Sequence, residues 1–169
     1  KYHSYKGTVG KVADNLLKRD FSAEKPFEKI TTDVTQFNVC DEKVYLSPVL
    51  DLFNNEIVSY SISTSPNLWQ IREMLDGLFA KLPADATPIF HSDQGWQYQH
   101  AEYQRLLAEH NITQSMSRKG NCMDNGAMEN FFGRLKVEMF YGEKFESVNA
   151  FIDALKKYWN CPVTIYRED

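Results

Sequence analysis

A mixed α/β fold is what this sequence predicts, on three observations. Residues 29–63 are rich in β-branched and aromatic residues, broken by turn residues rather than by helical periodicity. From residue 65 onward, amphipathic stretches with apolar residues at three- and four-residue spacing alternate with short β-branched runs, then give way to helices. Apolar residues make up 43% of the 169-residue chain, enough for one buried core.

The elements follow in order. Residues 1–24 are basic and polar, with Lys1, Lys6, Lys11, Lys18 and Arg19, and read as an extended linker arm with one weak helix near 11–18. Residues 29–39 predict a first strand with Asp33 inside it, a type of residue depleted in strands. Asp41-Glu42-Lys43 makes a turn, and residues 44–53 form a second strand. Pro48 within it suggests an edge position or a bulge, because proline cannot donate to a ladder. Asn54-Asn55 suits the left-handed backbone of a tight hairpin, so residues 56–63 return antiparallel as a third strand. Ser65 then caps a helix with Pro66 at its first position. Leu68, Ile71, Leu75, Leu78, Phe79 and Leu82 form its apolar stripe, and Pro83 ends it. Residues 87–91 predict a fourth strand that presents Asp93 at its C-terminal end. Residues 98–110 read as a helix, 112–116 as a fifth short strand and 117–125 as a loop. Two helices follow, over 125–141 and 147–159.

Composition excludes several classes. No run of about 18 apolar residues exists, so nothing predicts a membrane span, and the first residues lack the pattern of a signal peptide. Cys40, Cys122 and Cys161 are odd in number and widely spaced, which argues against a disulfide framework and a structural zinc site. His3, His91, His100 and His110 do not pair with them at zinc-finger spacing. A reducing, cytoplasmic setting is the expectation. The net charge of −4 predicts weak intrinsic affinity for a polyanion. Basic residues nevertheless gather at Arg118, Lys119, Arg134 and Lys136, a group that would ordinarily be read as a solvated helix and loop.

Asp33, Asp93 and Glu129 stand apart from the other carboxylates by their settings. One lies in a strand, one just past a strand and one on a long amphipathic helix. Hard divalent cations need oxygen ligands from converging elements, and two such ions can clamp the attacking and leaving oxygens of a phosphodiester. A metal-dependent polynucleotidyl transferase is the reading these residues support. Asp93 has an ordinary alternative, since Ser92-Asp93-Gln94-Gly95 also reads as a turn. Asp51, in an apolar strand, reads equally as a buried, hydrogen-bonded aspartate. The stripe Met128, Phe131, Phe132, Leu135 and Met139 reads as core.

Four blocks carry a resemblance to a known family: Thr32-Asp33-Val34-Thr35, His91-Ser92-Asp93-Gln94-Gly95, Lys119-Gly120-Asn121-Cys122-Met123-Asp124-Asn125, and Glu129-Asn130-Phe131-Phe132 followed by Leu135-Lys136. In this order the chain resembles the catalytic core of OrfB-type insertion-sequence transposases, in the DDE transposase and retroviral-integrase superfamily, from about residue 5 to about 159. The 35 residues (94–128) between Asp93 and Glu129 match that family's spacing. The resemblance implies a ribonuclease H-like fold, a mixed five-stranded sheet flanked by helices, occupying residues 25–160 after the arm. It implies Asp33, Asp93 and Glu129 as catalytic ligands of two Mg²⁺ or Mn²⁺ ions, and nicking followed by strand transfer.

DNA is the implied partner, as element ends and as target, with a homo-oligomer in the full-length synaptic complex. Lys136 matches the basic residue seven positions after the family's glutamate and is expected on DNA phosphate, with Arg118, Lys119 and Asn125 as further DNA contacts. Asn125 and Asp124 are alternatively helix caps. Two departures stand out: Ile30 occupies a position where the family usually has Trp, and residues 161–169 diverge from the family pattern. The latter read as a divergent tail, and the whole as part of a longer protein. A purely hydrolytic ribonuclease H-like nuclease and an inactive transposase fragment remain alternative readings.

Overall fold

Residues 10–160 are described by the computed structural model. The tail at 161–169 and the first nine residues of the arm lie outside the described residues. Strands β1 (Lys29–Thr32), β2 (Thr35–Val39), β3 (Glu42–Asp51) and β4 (Glu56–Ser63) come first. Helix α1 (Leu68–Lys81), strand β5 (Ile89–Ser92), helices α2 (Trp96–Gln99) and α3 (Ala101–Glu109), and strand β6 (Thr113–Met116) follow. A 3-10 turn at Cys122–Asn125 leads into α4 (Gly126–Met139), and α5 (Val148–Asn160) closes the described chain.

Six strands stand where five are expected, because the first is interrupted at Asp33–Val34. β1 and β2 both pair antiparallel with β3, Thr32 opposite Val49 and Thr35 opposite Leu46, so the register survives the gap. That register sets Pro48 opposite Asp33. Proline has no N–H to give, so the break in the ladder falls where a donor is missing. Pro48 also pairs with Tyr60 on its other side, which puts it in a central strand and corrects the edge expectation; the ladder shifts by one residue just beyond it, between Val49 and Leu50. On its other side β1 runs parallel to β5, and β5 parallel to β6. The sheet is the ribonuclease H-like one.

Period-2 alternation splits the core between the two faces. Ile30, Val49 and Phe90 pack with α1 and α3 through Met74, Leu78, Tyr103 and Leu107. Phe37, Leu46 and Leu50 pack with α4 and α5 through Met128, Phe132, Leu135, Phe151 and Leu155, so the stripe read as core is core, Phe131 being only partly buried.

Local chemistry moves several boundaries. α1 starts two residues later than expected, because Asn67 rather than Ser65 is the cap, its side chain accepting from the Gln70 N–H. The helix expected over 98–110 is split at His100, whose extended backbone ends α2 and whose Nδ1 accepts from Glu102 N–H to start α3. The first hairpin turns at Cys40-Asp41, both left-handed, instead of Asp41-Glu42-Lys43. Asn55 is left-handed as expected (φ 57°). No helix forms over the described part of 11–18; residues 13–16 instead lie along β6, where Met116 N–H donates to Asp14 O and Leu16 N–H to Ser115 Oγ.

Candidate active site

The parallel register of β1 and β5 builds the centre of the site. Thr31 pairs with His91, and two residues further on, just past the ends of both strands, come Asp33 and Asp93, near enough for the Asp93 charge to act on Asp33. Each carboxylate is steadied by a nearby amide: Val34 N–H donates to Asp33 Oδ1 at 2.8 Å, and Gly95 N–H to Asp93 Oδ1 at 2.7 Å. These bonds are too few to offset the crowding. Burial, the Asp93 charge and a smaller push from Glu129 drive the Asp33 carboxyl up to about 8, against the Val34 bond. Burial likewise raises Asp93.

Glu129 comes from the opposite layer. Thr31, Asp33 and Phe37 share the sheet face that α4 covers, and α4 runs along them. Asn125 lies over Thr31, with Thr31 Oγ1 at 2.7 Å from its Oδ1, and Lys136 lies over Phe37, its ammonium 5.3 Å from the ring centroid. Glu129 lies between these two along α4, near enough for its charge to add to the rise in the Asp33 proton affinity. It remains solvent-exposed. Among the described residues no three His, Cys, Asp or Glu side chains stand close enough together to hold a metal ion. Two neighbouring half-buried carboxylates that resist ionising together nevertheless fit a hard cation, which would remove the repulsion between them.

The surroundings of the pair are polar and buried. His91 is enclosed, its Nδ1 2.8 Å from Ser115 Oγ and its Nε2 3.1 Å from Ser117 Oγ, and burial lowers its proton affinity. Gln94 Nε2 donates to Ser117 O. Tyr98 is fully buried next to both aspartates; its hydroxyl finds no partner of hydrogen-bonding geometry, although the Gln97 amide lies beside it. Tyr98 and Tyr103, both buried near Asp93, are site neighbours that the sequence pattern does not single out. A shallow depression lined by Val34, Pro66, Asn67, Trp96 and Gln97 lies between the starts of α1 and α2.

The residues expected on DNA are placed unequally. Lys119 is exposed. Arg118 is exposed but engaged: its N–H, Nε and Nη2 all donate to the Asp124 carboxylate at 2.9 Å. Arg19 Nε donates to the same carboxylate, and these bonds, those of Arg118 foremost, hold Asp124 well below the usual carboxylate range. Asn125 is turned inward, only 4% exposed, with its Nδ2 donating to Thr32 O. Neither Asp124 nor Asn125 caps α4 through its side chain, which corrects the capping expectation. Lys136 is half-buried. Asp51 is a buried structural aspartate, accepting from Phe27 N–H and Phe53 N–H.

Two family models described as "Integrase core domain" match the chain, one over residues 23–122 and one over residues 129–161. The chain belongs to the integrase core domain family. It is 55% identical over 158 residues to an uncharacterized transposase-like protein of Haemophilus influenzae, covering 94% of this chain and 73% of that protein. It is 53% identical over 158 residues to the putative transposase InsK for insertion sequence element IS150 of Escherichia coli, covering 94% of this chain and 56% of that protein. The chain therefore spans from about half to about three quarters of the length of these relatives.

A chain of the simian T-cell lymphotropic virus intasome shares the fold, with a TM-score of 0.65, 19% identity, and 91% and 54% of the two chains covered. The HTLV-2 integrase catalytic core domain in complex with magnesium also shares it, with a TM-score of 0.51, 18% identity, and 78% and 84% covered. This integrase core is thus a catalytic core of the insertion-sequence transposase kind, in a family devoted to DNA transposition and integration. No helix among the described residues is long and apolar enough to cross a membrane.

Proposed function

We propose that this integrase core nicks DNA and transfers the cut strand, with Asp33, Asp93 and Glu129 as its catalytic carboxylates. The observation that carries the reading is that parallel β1 and β5 end side by side and are followed by Asp33 and Asp93, whose crowding lets the Asp33 carboxyl hold its proton up to about 8. Asp33 and Asp93 would hold one Mg²⁺ or Mn²⁺ ion, and Asp33 with Glu129 a second once DNA phosphate closes the site. Magnesium in the HTLV-2 integrase core supports that choice of ion. Such ions supply Lewis-acid stabilisation of charge developing on the phosphodiester.

The chain's own groups do the rest. Asp33 must shed its proton before a cation is held, and the Val34 N–H favours the ionised form that results. Gly95 N–H fixes the Asp93 carboxylate in the same way. Glu129, exposed on α4, is free to turn toward Asp33 and share a cation with it. Exposed Lys119 stands ready for the DNA backbone. DNA is the proposed partner, in a homo-oligomer when two ends are synapsed.

Labelled element-end DNA incubated with the chain and Mg²⁺ or Mn²⁺ tests this. Nicked and strand-transferred products are expected, and Asp33→Asn or Asp93→Asn is expected to abolish both while the fold is retained. Nicking by either variant at the parent rate would overturn the assignment. Nicking without strand transfer would favour the purely hydrolytic nuclease, and neither product from the parent chain the inactive fragment.

A further inference from the structure

We propose that Asn125 is a positioning residue whose amide fixes the register of α4 against β1 and so sets Glu129 opposite Asp33. The inference rests on the proposed role of the three carboxylates. Asn125 occupies the N-cap position of α4, where its side chain would ordinarily satisfy a free helix N–H. That bond is not made. The amide reaches across the layer instead, accepting from Thr31 Oγ1 at 2.7 Å and donating to Thr32 O at 3.2 Å. Thr31 Oγ1 also lies 3.1 Å from His91 O, so its proton is shared between the amide and β5. One buried side chain thereby joins the start of α4 to the end of β1, and Thr31 in turn reaches β5.

Only an amide suits the place. It must accept from a hydroxyl and donate to a carbonyl at once, whereas a carboxylate would face the Thr32 carbonyl with no proton and add a charge beside Asp33. The spacing then fixes Glu129. From Thr31 to Asp33 is two strand residues, about 6.6 Å, and from Asn125 to Glu129 four helical residues, about 6 Å. With Asn125 pinned over Thr31, Glu129 falls over Asp33. The neighbouring residue reinforces the anchor, since Asp124 is held by Arg118 and Arg19 in the 3-10 turn immediately before. A slip of α4 by one residue would rotate Glu129 by about 100° away from the strand.

Binding of Mn²⁺ to the full chain with duplex DNA present, followed by the EPR signal of free Mn²⁺ well below the melting temperature, tests the inference. Asn125→Ala is expected to weaken Mn²⁺ binding about three- to tenfold and to add nothing on top of Glu129→Gln, because both act through the same ligand. Thr31→Val, which keeps the shape of the side chain, should weaken it in the same direction, and Thr31→Ser should restore it; this pair carries the test if Asn125→Ala fails to fold. Variants that melt earlier but bind Mn²⁺ as the parent does would overturn the inference and leave Asn125 as a strut alone. Asp33→Asn separates the two failures. Parent affinity in that variant overturns the metal reading itself, and the positioning role with it, whereas lost affinity there with parent affinity in the Asn125 and Thr31 variants overturns only the positioning role.

Discussion

Asp33 is the residue whose ionisation governs the rest. Its folded carboxyl titrates at about 8 against an ordinary value of 3.8, so between those limits folding takes up a proton that unfolding releases. Below about 4 both states are protonated and the site costs nothing. As pH rises from about 4 to 8 the metal-free chain loses stability, by at most about 1.4 kcal/mol per pH unit for one group. Thermal melts in a chelator should show that decline, Asp33→Asn should flatten it, and Mg²⁺ should restore stability most strongly near pH 8. A chelated parent chain equally stable at pH 5 and pH 8 would contradict the crowding of the pair. Lys136 is the second informative residue. Its ammonium lies over Phe37, and partial burial lowers its proton affinity, so an alanine variant would confuse packing with charge. Lys136→Met keeps the stem and removes the charge. If Lys136 meets a DNA phosphate, the slope of log affinity against log salt should become shallower by about 0.9; an unchanged slope assigns the side chain to packing.

At the scale of elements, what local patterns specify was legible and what distant contacts specify was not. The α1 stripe, the Pro83 stop, the Asn55 hairpin and the strand before Asp93 each follow from neighbours in sequence. The interruption of the first strand depends on Pro48, fifteen positions from Asp33 and opposite it only once β3 has paired. The role of Asn125 depends on Thr31, and that of Asp124 in part on Arg19, both about a hundred residues earlier, although the main partner of Asp124, Arg118, lies only six residues before it. Thr31 could have been found, because alternation puts it on the same face as Asp33; Arg19 had no such signal. The arm is the clearest case. Its polar composition reads as a linker, yet Leu17 is only 3% exposed within the α4 and α5 core, and Phe21 lies 3.7 Å from where a side chain on Gly126 would begin. Leu17→Ala should therefore cost about 2–5 kcal/mol, as a core truncation does, where a residue in a loose linker would cost under about 0.5 kcal/mol. Urea unfolding of the chain distinguishes the two.

For the whole molecule, charge and surface limit what this core does to DNA unaided. The net charge is −4, Arg118 is spent on Asp124, and the metal-free carboxylates add repulsion where phosphate must sit. Specific recognition needs side chains that reach base edges from an element seated in a groove. Among the described residues the helices bury one face each, and α4, which carries Glu129 and Lys136, lies flat against the sheet. Affinity for duplex should therefore come from a few basic side chains, exposed Lys119 and Arg134 among them, and from cations at the carboxylates, so it should be weak, lose only about 0.9 in log–log slope per phosphate neutralised and ignore sequence. Divalent ions should strengthen it if the proposed site holds them, because an ion between Asp33 and Asp93 would turn a repulsive centre into an attractive one. A gel-shift competition between element-end and random duplex, run with Mg²⁺ and with chelator, measures both effects. Less than about tenfold discrimination, roughly 1.4 kcal/mol, is expected in either condition, with tighter binding in Mg²⁺. Stronger discrimination would mean that the core itself reads sequence, and binding indifferent to Mg²⁺ would mean that DNA approaches some face other than the carboxylate pair.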